Sequence, residues 1–472
     1  MVSCVEVPHM SLSPWLIAAC LVVACESASS APHRSSPDQE RDPPASAAGA
    51  SDSVEQEPEG PRAGEVRATP GADAGLVPRT LDAASREPPG RDAALPVQDA
   101  SDGPPSSRPD AGPGNVPDGS QIGELPQPPL ETGGAPLVAP DRTWTYVEFP
   151  DSRCRDGSKA GVSVRLNSAS KKVVIYLEGG VYCFDGTTCA INPSNVDDTL
   201  FNSAKTAPSS GIFDLRNEQN PVRDWNLVYV PYCTGDAMGG TKSTPTDVPG
   251  GPSKQWFVGR RNLEKFLQRI VPTFHEPSDV LLTGMSAGGS AVLMNLSLVQ
   301  RAFPKLKVRY VNDSSLPPLS KAILSECLQT KLRTLWGLDE SLLAECGDSC
   351  PNHADYWQAH SLFLAKTFAD RPAGFIDAIE DSMMRAVAGA GARDCTGSLL
   401  FDSVAAAPFR AELLAYRAKL APYPSYSTFF PEGSQHTWLK DNSFYAGMAG
   451  NIRLVDWFAK IANGEVPGNA GP

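Results

Sequence analysis

The stretch from Val280 to Asn295, VLLTGMSAGGSAVLMN, constrains the fold more than any other: an apolar run enters Gly284-Met285-Ser286-Ala287-Gly288 and leaves as a small-residue helix. That is the setting of a nucleophile elbow. A serine hydroxyl reacts only if its Oγ projects toward a base, and a sharp strand-to-helix turn does this where neighbouring side chains are absent, hence Gly284 and Gly288. The same turn aims the amide of Ala287 at a developing oxyanion. A chain with 40 glycines also produces turns of this kind merely to let a helix pack on a sheet, so the surroundings must decide.

Composition divides the 472 residues unevenly. Most of the formal charge of −13 belongs to the first 140 positions, which are dense in Pro, Ala, Gly, Ser and Asp. Such a segment buries too little apolar surface to offset the entropy of ordering it, so residues 26–140 are expected to form a disordered, proline-stiffened tether to a domain at 141–472. Ahead of it, the apolar run Trp15 to Ala24 followed by Cys25 resembles a bacterial lipobox. The run is too short to span a bilayer and reads as an export signal at 1–25 whose Cys25 becomes lipidated. A lipobox ending at Cys20 and a plainly cleaved signal are the alternatives. The expected location is therefore the cell envelope, through a lipid anchor, or the exterior.

Outside the leader lie Cys154, Cys183, Cys189, Cys233, Cys327, Cys346, Cys350 and Cys395. An even number in an oxidising compartment predicts disulfides rather than metal ligation or a reactive thiol. Cys346, Cys350, His353 and His360 are the one group whose spacing tempts a zinc reading. No metal or organic cofactor is expected. No basic patch is interleaved with aromatics, so nucleic acid is not an expected partner, and the domain is read as a monomer.

From Thr143 onward β-rich runs at 143–149, 161–166, 173–178, 226–231, 280–283, 308–312 and 426–430 alternate with helical patterns, notably Phe257 to Ile270 and Trp357 to Phe368. This order predicts one large α/β domain: a mostly parallel sheet with helices on both faces, opened by an antiparallel pair. In such sheets chemistry collects at the carboxyl ends of the strands.

Ser286 needs a base near neutrality, which only histidine supplies unperturbed. Of six histidines, His9 and His33 fall in the leader and tail, and His275 precedes the nucleophile strand on the wrong side. His353 and His360 lie in or beside a helix. His436 follows the last strand and is the candidate. The acid should be an Asp or Glu between Ser286 and His436, and spacing leaves Asp313 and Asp370 in competition. Gly179 and Gly180, after the central strand, can supply oxyanion amides at Gly180 and Val181 beside that of Ala287.

Three linked motifs, LEGGVYCF at 177–184, VPYCTGD at 230–236 and GMSAGG at 284–289, together resemble the pectin acetylesterase and Notum family of carboxylesterases. The resemblance runs from about Trp144 to Trp438 and implies an α/β-hydrolase fold with a metal-free Ser, Asp and His triad. It implies Ser286, Gly180, Val181, Ala287 and His436 in the roles above. It favours Asp370, which follows the aromatic-containing run Phe363 to Ala369. It also implies disulfides Cys183–Cys189 and Cys154–Cys233, leaving the other four cysteines open. The chain departs from the family at Val181, where tryptophan or glycine is usual, so the acyl pocket has a different wall.

The expected activity is removal of acyl groups, acetyl first, from an O-acylated carbohydrate such as pectin. A lipid-deacylating or lipase-like esterase is the enzymatic rival. A hydrolase scaffold retained for binding surface glycans without catalysis is the rival from another class.

Overall fold

The strand Lys172–Leu177 has no polar alternation, and a strand apolar on both faces is stable only if both faces are covered. The computed structural model, which describes residues 127–196, 208–350, 355–390 and 403–472, places it accordingly in the middle of an eight-stranded sheet. The strands are β1 (Thr145–Phe149), β2 (Ala160–Arg165), β3 (Lys172–Leu177), β4 (Asn226–Val230), β5 (Asp279–Met285), β6 (Arg309–Asp313), β7 (Ala373–Ile376) and β8 (Tyr426–Phe429). Their spatial order is β1-β2-β4-β3-β5-β6-β7-β8. β2 pairs antiparallel with β1 and β4, and every other neighbour is parallel. This is the α/β-hydrolase-like arrangement that the resemblance implied. One strand was not foreseen: β7, a four-residue run containing Gly374.

The pleat of β3 sorts the core into two layers. Val173, Ile175 and Leu177 fall in one buried cluster with Leu263, Phe266, Leu296 and Val299 of the helices Gly259–Thr273 and Ala287–Ala302. Val174 and Tyr176 face the other way, in one cluster with Leu454, Trp457, Phe458 and Ile461 of the helix Leu454–Ala462. Each large apolar side chain so buried contributes about 1.5–3 kcal/mol. The parallel register brings the carboxyl ends of β3, β5, β6, β7 and β8 to one edge of the sheet.

The structured part begins before residue 141. Residues 127–140, expected to belong to the tether, lie along the two sheet-covering helices: the Leu130 amide donates to the Arg301 carbonyl (3.1 Å), Gly134 to Gln268 (3.0 Å) and Leu137 to Thr273 Oγ1 (2.7 Å). Leu137 is buried among the core residues. The leader, Cys25 and most of the tail lie outside the described residues. No helix among the described residues is long and apolar enough to cross a membrane.

Three disulfides link Cys154 to Cys233, Cys183 to Cys189 and Cys346 to Cys350. Cys327 is disulfide-bonded as well, and Cys395 lies outside the described residues. The third bridge consumes both thiols of the zinc alternative.

Trp457 is 1% exposed and its ring lies against Gly374, where a Cβ would sit 2.5 Å from it. Trp457→Ala should therefore lower unfolding free energy by about 3–5 kcal/mol, measured by denaturant titration.

Candidate active site

At the end of β5 the chain turns at Ser286 with φ 56° and ψ −124°, a left-handed conformation that a non-glycine residue adopts at a cost of about 1–3 kcal/mol. Two glycines make the turn possible. A Cβ on Gly284 would lie 2.5 Å from the Leu177 carbonyl oxygen and 2.6 Å from that of Gly288. One on Gly288 would lie 2.1 Å from Leu177 O. The serine itself is anchored from below, its amide donating to the Asp313 carbonyl (2.8 Å) while its own carbonyl accepts from the Ser290 amide (3.0 Å).

His436, in the loop after β8, comes back over the sheet edge to Ser286. The Ser286 Oγ donates to Nε2 at 3.0 Å, and Nδ1 donates to Asp381 Oδ2 at 2.7 Å. The carboxylate beside Nδ1 dictates that tautomer. Asp381 is fully buried, and its other oxygen accepts from the Met384 amide (2.8 Å), so it also caps the helix Ser382–Gly389.

Asp370 is not near the imidazole. It sits before β7, at the opposite end of that strand from the histidine, and its carboxylate is held below its ordinary range: burial acts against this, but Arg371 (2.8 Å) and Lys307 (3.1 Å) outweigh it. The competing candidate, Asp313, does lie in the site but serves its backbone. Its Oδ2 accepts from the amides of Trp438 (2.8 Å) and Leu439 (2.9 Å), and Oδ1 accepts from Ser314 Oγ (3.0 Å). Ser314 Oγ in turn accepts from the Thr437 amide (3.0 Å). Ser314 and Thr437, with φ of 47° and 68°, join Ser286 as non-glycine residues in the left-handed region. The sequence signal for Asp381 was its place five residues beyond the end of β7, visible only once that short strand is recognised.

The electrostatics follow from burial and charge. Burial drives the Asp313 carboxyl up to about 6, against the two amides and the hydroxyl that favour its ionised form. Burial alone would lower the imidazole of His436, but the charge and hydrogen bond of Asp381, followed by the charge of Asp313, raise it above its usual value. A histidine whose folded value is raised contributes its stabilisation in full below about pH 6.5, and that contribution is lost as pH climbs through the folded value.

Of the expected oxyanion residues, Ala287 follows the serine directly, and Gly180 and Val181 follow Gly179. Gly179 packs so tightly against the elbow that a Cβ would lie 2.4 Å from Met285 O and 3.0 Å from Ser286 Cβ, while Gly180 lies on the ring of Tyr232. Ala287 opens its helix, where the amide has no intrahelical partner. Among the described residues the amides of Gly180, Val181 and Ala287 make no hydrogen bond. The loop carrying the first two is fixed by the Cys183–Cys189 bridge, by Trp336 Nε1 donating to the Cys183 carbonyl (3.0 Å), and by Asn192 donating to the Val181 carbonyl. Beside it Lys440 Nζ lies 2.7 Å from Glu178, which also accepts from Tyr229.

Of the remaining histidines, His360 is buried beside Glu345 and His275 is exposed. His353, like His9 and His33, lies outside the described residues. No group of three or more potential metal ligands occurs among the described residues.

Residues 142–357 match the family model described as pectinacetylesterase. The chain is 30% identical over 205 residues to palmitoleoyl-protein carboxylesterase notum2 of Xenopus laevis, covering 39% of this chain and 40% of that protein. It is 31% identical over 214 residues to palmitoleoyl-protein carboxylesterase NOTUM of Drosophila melanogaster, covering 42% of this chain and 31% of that protein. The matches thus span well under half the length of these relatives. A solved structure of the Wnt deacylase Notum from Drosophila aligns with a TM-score of 0.49 at 23% identity, covering 69% of this chain and 95% of that one.

Removing the charge of Asp381 removes the largest influence raising the imidazole. The NMR titration midpoint of His436 should therefore lie above 6.5 in the parent protein, fall in Asp381→Asn, and stay in place in Asp370→Asn.

Proposed function

We propose that the chain, whose residues 142–357 match the pectinacetylesterase family model, is a serine carboxylesterase in which Ser286 is the nucleophile, His436 the general base and Asp381 the orienting acid. The observation that carries this reading is the unbroken hydrogen-bond chain from Ser286 Oγ through both ring nitrogens to a buried carboxylate. His436 takes the serine proton as Oγ attacks an ester carbonyl. The charge then developing on the carbonyl oxygen is accepted by the amides of Gly180, Val181 and Ala287. The imidazolium, stabilised by Asp381, returns its proton to the departing alcohol, and water repeats the cycle on the acyl-enzyme.

The substrate we favour is an O-acetylated carbohydrate such as pectin. The relatives named as palmitoleoyl-protein carboxylesterases support a second reading, a longer acyl chain. The family's matched region contains the elbow and the glycine loop, so the mechanism is common to both readings and only the pocket differs. The disulfides suit an oxidising compartment, and export with a lipid on Cys25 remains part of the proposal.

Ser286→Ala should abolish hydrolysis of a short acyl ester and labelling by a serine-directed fluorophosphonate while circular dichroism is unchanged; full activity in this variant rejects the assignment. Asp381→Asn should lower kcat by about 10⁴-fold, whereas Asp370→Asn should behave as the parent. An acyl series from acetyl upward separates the substrate readings, since a sharp preference for two carbons favours deacetylation. A parent protein that binds polysaccharide yet hydrolyses nothing and takes no label would favour the non-catalytic alternative.

A further inference from the structure

Behind the proposed triad lies a third carboxyl that the mechanism does not use. Asp377 follows β7 directly, four residues before Asp381, and is fully buried. Neither of its oxygens receives a hydrogen bond at proper geometry from any donor among the described residues. An ionised carboxylate so enclosed is unstable, since burial without a partner costs several kcal/mol.

The groups facing it make ionisation worse. Its side chain meets that of Asp381, it feels the charge of Asp313 at the end of β6, and Tyr182 in the loop after β3 feels its charge in turn. The imidazolium that forms at His436 is engaged by Asp381. Burial first, then Asp381, then Asp313 hold the Asp377 carboxyl far above the ordinary carboxylate range, with only the Ala378 amide acting the other way. Where two carboxyls share a dry site, one of them keeps a proton and gives it to the other as a hydrogen bond.

We propose that Asp377 stays protonated throughout turnover and donates its O–H to Asp381, making it a positioning residue that fixes the triad acid as the single negative charge of the pair. The inference rests on the assignment of Asp381 to His436. Its logic is an arrangement of charges: Asp381 already accepts from His436 and from the Met384 amide, and a third donor holds it rigid without adding charge. Two ionised carboxylates there would bind the imidazolium too strongly for it to return its proton. The proton stays on Asp377 throughout, and no bond to substrate is involved.

Two variants and one spectroscopic reading test this. Asp377→Asn keeps a neutral donor of the same shape, and Asp377→Leu removes the donor. We expect kcat to fall at least about tenfold in the Leu variant with KM little changed, and Asn to restore most of the loss. The acid limb of the kcat/KM profile should stay in place in Asp377→Asn. A downward shift of about one pH unit would mean that a charge had been removed, and the proposal would be wrong. Infrared spectra at neutral pH should contain the C=O stretch of a buried protonated carboxyl in the parent, missing in Asp377→Asn. That band is read without substrate: its absence overturns the proposal even in an active enzyme, and its presence in a protein inert to every ester would overturn the esterase reading alone. Should the Leu variant fail to fold, the acid limb and the infrared band of the Asn variant decide.

Discussion

Asp313 is the joint on which the site turns. Its carbonyl accepts from the Ser286 amide and its carboxylate accepts from Trp438 and Leu439, so one residue at the end of β6 ties the strand-turn to the histidine loop. Two segments 150 residues apart thereby meet with Oγ and Nε2 at 3.0 Å. Charge-assisted bonds from backbone amides are directional and strong in a buried setting. They join the bonds that the amides of Ile379, Glu380 and Ser382 make to the carbonyls of Pro431, Gly433 and Ser434 in holding the loop after β8 over the serine.

Three of the nine described non-glycine residues with positive φ lie at this joint. Ser286, Ser314 and Thr437 all occupy the left-handed region, together costing several kcal/mol. Such conformations persist only where the surroundings over-determine them. Here the two buried layers of the sheet, each filled by one face of β3, supply that constraint. The elbow is further locked by the contact of Gly284 and Gly288 with the carbonyl of Leu177, so β3 and β5 cannot separate without undoing the turn.

The elbow, the paired glycines and the late histidine were legible because each depends on local chemistry: a glycine where no Cβ fits, a strand apolar on both faces, a histidine just past a β-rich run. The acid was not. Its position depends on β7, whose four residues include Gly374, a residue small because Trp457 lies against it. A run that short has no periodicity to detect. Without it, the aspartate nearest an aromatic segment, Asp370, looked suitable, although it belongs to the opposite end of the strand. The start of the domain was missed for a similar reason. Residues 127–140 are rich in proline and glycine and gain order only from hydrogen bonds to helices more than 130 positions away.

By itself the sequence determined the class of fold, the strand-to-helix turn at Ser286 and the residue types available to the candidate site, since these follow from periodicity and from what each side chain can do. Which of three carboxyls, Asp313, Asp377 or Asp381, meets the imidazole was decided only by tertiary structure. All three sit at the carboxyl ends of neighbouring parallel strands, equivalent in chemistry and similar in spacing. All three are fully buried, so what distinguishes them is orientation: one turned to backbone amides, one without a donor at proper geometry among the described residues, and one capping a helix with an oxygen 2.7 Å from the ring nitrogen. Such differences arise only when distant strands are brought into register, which no local pattern encodes.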